Sequence, residues 1–206
     1  PAVAIAADVA AGALLVIAGS RIRKLGRENL VPLMGVTGAF IFAAQMVNFA
    51  IPGTGSSGHI VGGVLLAALL GPWAGFLTLA SVLIIQCLIF ADGGLMAIGC
   101  NILNMGAMTA LVAYPLLFRP LLGTGSDRRP SVLKIFMVSI LACVVGLELG
   151  AVMVSLETLA SGVTSIPPGK FMLLMTAIHF VIGVGEGLAT GAVIVFVHKT
   201  SPSLLE

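Results

Sequence analysis

QMVNFAIPGTGSSGHIVGG, residues 45–63, is the stretch that decides how this chain is read. It falls where one apolar segment ends and the next begins. Pro52, Gly53, Gly55 and Gly58 are turn formers, so no continuous helix runs through it. Ser56 and Ser57 are small and polar, and His59 is the one ionisable group of the stretch. An imidazole in a glycine-rich loop, with Gln45 and Asn48 shortly before it, marks a small polar site at a membrane face. The plainer alternative is a surface connector whose histidine is incidental.

Outward from this loop the chain is apolar. Of its 206 residues 59% are hydrophobic and 9% charged. A soluble domain carries roughly 25% charged residues, so the chain is read as one integral membrane domain, 1–206. Its 26 glycines fit helices that pack closely in lipid. Residues 2–19 are followed by basic residues and not by a small-residue cleavage site, so no cleavable signal peptide is expected. Cys87, Cys100 and Cys143 lie inside apolar segments without CxxC spacing, which points to packing and to no disulfide. No phosphate-binding Walker A loop and no basic aromatic patch is present, so the chain is expected neither to hydrolyse nucleotide nor to bind nucleic acid.

Apolar segments run at 2–19, 30–51, 59–71, 73–91, 95–118, 133–156 and 171–198. The expected fold is an all-α membrane protein, a bundle of seven transmembrane helices with the N-terminus outside and the C-terminus cytoplasmic. Segment 59–71 is short for a span of roughly 20 residues, and a re-entrant segment is its rival. Charge sets the parity. With seven crossings, Arg21, Arg23, Lys24, Arg27, Arg119, Arg128, Arg129, Lys134 and Lys199 are cytoplasmic and only Lys170 is outside, as the positive-inside rule asks. Trp73 and Tyr114 then fall at the inner interface.

The same topology places the His59 loop outside. Gln45, Asn48, Gln86, Asn101, Asn104, Glu148 and His179 then lie on the order of 15 Å or less below that face. Polar groups in lipid usually face a protein interior or a cavity. Each alone could join two helices, but their shared depth favours one outward-facing pocket. Glu148 and His179, at equal depth, are expected to form a structural pair. Glu186 is deeper, within the GxxxGxxxG face of Gly183, Gly187 and Gly191, which signals close helix contact inside the protein or with a partner. Ala2, Ala6 and Ala10 form a similar stripe, and Asp8 has no reading unless it faces the pocket or a partner.

Two chemistries are open to the loop. Gly55-Ser56-Ser57-Gly58 is similar to the GxSG of rhomboid intramembrane proteases, with Ser57 as nucleophile and His179 as base. That motif is short, and no His/Asn oxyanion segment precedes Gly55. The binding alternative is that imidazole nitrogen suits Ni²⁺, Co²⁺, Cu²⁺ and Zn²⁺. His59 alone is not a site, so further nitrogen donors are required.

VPLMGVTGAFIFAAQMVNFAIPGTGSSGHIVGG at 31–63, LLGPWAG at 69–75, FADGGLMAIGCNILNMG at 90–106 and HFVIGVGEGLATG at 179–191 closely resemble the CbiM/NikM family. These are the substrate-binding membrane subunits of energy-coupling factor (ECF) transporters for cobalt and nickel. The resemblance implies a multi-pass subunit of a bacterial or archaeal cell membrane that captures Ni²⁺ or Co²⁺ as transported substrate, with no organic cofactor. It implies a transmembrane coupling subunit, ATPase subunits and a small CbiN- or NikN-type membrane subunit as partners. Family members begin Met-His, and the terminal amine, the second residue's backbone nitrogen and imidazole, and a loop histidine hold the metal. His59 matches the loop histidine. The sequence opens at Pro1 without Met-His, and the expectation is that an N-terminal piece precedes it. Gln45, Asn48, Asn101 and Asn104 are expected to surround and orient the ligands.

Overall fold

The computed structural model describes residues 1–26, 29–123 and 130–201. Arg27, Arg128 and Arg129, counted above as cytoplasmic, lie outside them. Among the described residues seven helices follow one another: α1 (Ala2–Leu25), α2 (Leu30–Gln45), α3 (Gly63–Leu70), α4 (Pro72–Phe90), α5 (Leu95–Leu122), α6 (Val132–Ser161) and α7 (Pro168–Thr200). A two-stranded antiparallel hairpin, β1 (Phe49–Ala50) and β2 (Ser57–Gly58), separates α2 from α3.

Five helices, α1 and α4 to α7, are long and apolar enough to cross a membrane. The other two differ from the segments read in the sequence. α2 stops at Gln45 and not at Ile51, because the turn residues that follow build the hairpin. α3 has eight residues, about 12 Å at 1.5 Å per residue, too short to span lipid alone. Residues 59–62 are not helical. Gly62 takes a left-handed conformation, φ 79°, as it leads into α3, which glycine adopts without steric cost. α3 is nonetheless nearly all buried. It packs on α4, where a Cβ at Gly75 would meet the Ala67 backbone nitrogen at 2.6 Å.

α5 changes winding along its length. A tight turn at Leu95–Ala97 opens it, and Ile102–Phe118 is π-helical with Pro115 inside, longer than the single-turn π-bulges usual in helices. The main core lies among α1, α3, α4, α5 and α6, with Leu66, Phe76, Leu79, Ala110 and Ala142 fully enclosed. A second, smaller core sits beneath the hairpin loop, where Ile51 meets Ala151, Phe171 and Met175.

The GxxxGxxxG face is used inside the chain. A Cβ at Gly183 would meet Val144 Cα at 2.8 Å, one at Gly187 would strike the Ile140 backbone, and one at Gly191 would reach the Phe136 ring at 2.7 Å. All three contacts are with α6. The reading of Gly183, Gly187 and Gly191 as a partner contact therefore gives way to internal packing, the other outcome that motif allows. Asp8 also finds a place. Its Oδ1 accepts the Gly99 N–H at 3.0 Å, supplying an acceptor where the α-helical winding of α5 begins at Ile98 and amides lack partners. The three cysteines are free, as expected, with Cys87 and Cys143 buried.

Candidate metal centre

The loop between α2 and α3 is folded by its own backbone. Phe49 pairs with Gly58 and Ala50 with Ser57. Ile51 N–H donates to the Ser56 carbonyl at 2.9 Å, and Thr54 closes the turn onto Ile51. Gly58 lies against Phe49 and Ile182, where a Cβ would be under 3.0 Å from both. Ile51, at 2% exposure, anchors the loop between α6 and α7, a burial worth roughly 1.5–3 kcal/mol.

Beneath the loop lies a cavity of about 960 Å³ that His59 lines. His59 Nδ1 is 2.8 Å from the Ile60 carbonyl oxygen. A carbonyl only accepts, so Nδ1 carries the hydrogen, and in the neutral ring Nε2 is the nitrogen whose lone pair is open to a ligand. His179 is arranged alike, with Nδ1 donating to the Met175 carbonyl at 2.7 Å, and it lines the same cavity. Gln86, Asn101, Asn104, Asp92, Cys100, Glu157 and Pro1 also border it. Among the described residues no group of three or more His, Cys, Asp or Glu side chains converges to hold a metal.

Of the residues read as polar in the sequence, the cavity thus gathers His59, His179, Gln86, Asn101 and Asn104. Gln45 lies behind it, 1% exposed. Its Nε2 donates to the Val61 carbonyl at 2.7 Å, and its Oε1 accepts from Gln86 Nε2 at 2.8 Å. Asn48 stands outside the lining and donates to Asp92 Oδ2 at 3.3 Å. Asn101 Nδ2 donates to the Gly93 carbonyl at 2.8 Å, and Asn104 Nδ2 to Glu157 Oε2 at 2.7 Å.

The Glu148–His179 pair does not form. His179 turns its Nδ1 to its own helix, and Glu148 Oε1 is buried without a hydrogen-bond partner. Equal depth on two helices did not bring them to one face, for Leu147 and Gly150 border the cavity while Glu148 does not. The protease arrangement is likewise not built. Ser57 and His179 both border the cavity, but no hydrogen bond joins them, and His179 turns its Nδ1 to the Met175 carbonyl.

Two features escaped the sequence. Glu157 lay past the end of the apolar segment 133–156, yet α6 continues to Ser161 and carries it into the cavity wall. Glu186 is not merely a residue of a packing face. Its Oε2 accepts the Val61 N–H at 2.6 Å and its Oε1 the Gly62 N–H at 2.9 Å, at 1% exposure. An acidic residue among helix-contact glycines was the available signal.

The chain is similar to known proteins over nearly its whole length. A fused NikMN-type protein of Archaeoglobus fulgidus is 37% identical over 194 residues, covering 93% of this chain and 61% of its own. The fused nickel transport protein NikMN of Rhodobacter capsulatus is 32% identical over 201 residues, covering 89% of this chain and 56% of its own. The chain therefore spans under two thirds of the length of these relatives. A crystal structure described as a transition metal transporter superposes with a TM-score of 0.83 at 28% identity, covering 95% of this chain and 88% of that one. Residues 1–204 match the family profile "Cobalt uptake substrate-specific transmembrane region", and the chain belongs to that family, CbiM.

Proposed function

We propose that this chain is the substrate-binding membrane component of an ATP-driven ECF-type transporter that takes up Ni²⁺ or Co²⁺. The observation that carries the reading is His59, held over a large cavity with Nε2 left as a donor. Imidazole nitrogen of this kind binds both ions. The names of the similar proteins, nickel transport for one and transition metal transport for another, support it.

In this reading the cavity opens outward and the chain makes seven passes. α1 runs from Pro1 at the cavity to Arg21, whose guanidinium lies 5.6 Å over the Trp73 ring. Residues 59–71 run between the same two levels, from His59 to the turn before Trp73. Non-helical over 59–62 and helical over Gly63–Leu70, they behave as a broken helix whose irregular backbone lines a cavity, which membranes tolerate. His59 supplies one nitrogen, and a Met-His terminus ahead of Pro1 supplies the amine, amide and second imidazole. Gln45 and Gln86 support the His59 loop, while Asn101 and Asn104 shape the cavity wall. Asn48, outside the lining, steadies Asp92 at the rim. Separate coupling and ATPase subunits drive release, and a NikN-type subunit, fused in some relatives, assists.

The test is uptake of radiolabelled Ni²⁺ and Co²⁺ by cells expressing the Met-His-led chain with and without the coupling and ATPase subunits. The reading expects ATP-dependent accumulation only with the partners. Uptake that ignores ATP depletion, or none of either ion, would refute it.

A further inference from the structure

Glu186 is fully enclosed, and a carboxylate placed there without partners would be costly. Two backbone amides donate to it, Val61 and Gly62, immediately ahead of α3, where the helix dipole favours negative charge. The Val61 N–H belongs to the same planar peptide as the Ile60 carbonyl. That carbonyl is the acceptor for His59 Nδ1. One rigid peptide therefore takes the carboxylate on its N–H edge and the imidazole on its C=O edge. The next carbonyl, Val61, is held from the other side by Gln45, itself bonded to Gln86. The glycines that flank Glu186 fix its own position, since Gly183 and Gly187 seat α7 against the α6 backbone.

We propose that Glu186 is the positioning residue for His59, setting the ring's orientation and its protonated nitrogen through the Ile60–Val61 peptide. The inference deepens the metal-binding reading and rests on it. It follows the logic by which a carboxylate orients a ligating histidine, with a peptide unit inserted between the two. Because the amides lead directly into α3 and the carboxylate belongs to α7, displacing α7 from α3 would also release the ligand.

The test compares the unsubstituted chain with Glu186→Gln, which keeps the shape but offers one acceptor and a misplaced NH₂. Gly191→Ala, which crowds Phe136 away from the clamp, serves as the stability control. Hydrogen exchange at Val61 and Gly62, and carbethoxylation of His59 by diethyl pyrocarbonate, are read on the 206-residue chain. Ni²⁺ affinity is read on the Met-His-led chain. Glu186→Gln should speed exchange at both amides by about tenfold or more, the scale of one charge-assisted hydrogen bond. It should change the His59 labelling rate and weaken Ni²⁺ about 10–100-fold, the range for losing an outer partner of a metal-bound histidine. Gly191→Ala at a matched loss of melting temperature should leave exchange and labelling alone. Unchanged exchange and labelling in Glu186→Gln, equal changes in Gly191→Ala, or Ni²⁺ affinity unmoved despite altered labelling would each overturn the proposal. If the unsubstituted Met-His-led chain fails to bind Ni²⁺, the metal-binding reading falls, while exchange and labelling still decide whether Glu186 positions His59.

Discussion

At the residue scale, the Ile60 carbonyl decides which nitrogen of His59 is available. Removing the ring removes a donor and leaves the hairpin intact, because the loop's backbone and Ile51 hold it. His59→Ala should therefore keep expression and melting temperature while lowering Ni²⁺ affinity at least about tenfold, about 1.4 kcal/mol. Titration beside a thermal melt checks both halves. Glu148 and His179 share no bond, so their single and double substitutions should be additive in detergent melts, within about 0.5 kcal/mol. A coupling well above that would place them in contact. The sequence showed His59 plainly, as an ionisable group in a loop of turn residues. It could not show the use of Glu186, whose partner Val61 lies 125 positions away and contributes only its backbone.

At the element scale, the contact between α6 and α7 is made by glycines that admit the opposing backbone. Gly187→Leu has no room beside Ile140 and should destabilise the isolated chain by several degrees or more, overpacking costing about 1–3 kcal/mol. A melt of the purified chain decides, and unchanged stability with lost transport would return this face to a partner. The continuous apolar runs located the seven helices of the described residues, because lipid and core both demand apolar side chains. Their ends were less legible. α6 continues past its apolar segment to Ser161, and residues 59–62 leave the helix because a buried donor on α2, Gln45, and a buried acceptor on α7, Glu186, compete for their backbone. Such competition is tertiary and leaves no local pattern.

At the scale of the whole molecule, the helices border a cavity that one loop histidine overlooks, and Pro1 lies at its wall. The described residues bring no cluster of three ionisable ligands together there. The 206-residue chain should accordingly bind Ni²⁺ weakly, and a Met-His-led segment ahead of Pro1 should raise affinity by orders of magnitude through one chelating unit. Because amine, amide and imidazoles must shed protons to bind, that affinity should fall with falling pH. An extra residue before the methionine should abolish it. The gathering of His59, Asn101 and Asn104 at one cavity was foreseeable from the order of the apolar segments, whereas the composition of its wall needed the helix rotations. The central claim is that His59 ligates a transition metal in this cavity. Calorimetric titration of Ni²⁺ into the Met-His-led chain, with and without His59→Ala, tests it most directly. The account predicts tight one-to-one binding that the substitution weakens at least about tenfold. Equal affinity in the two proteins would contradict it.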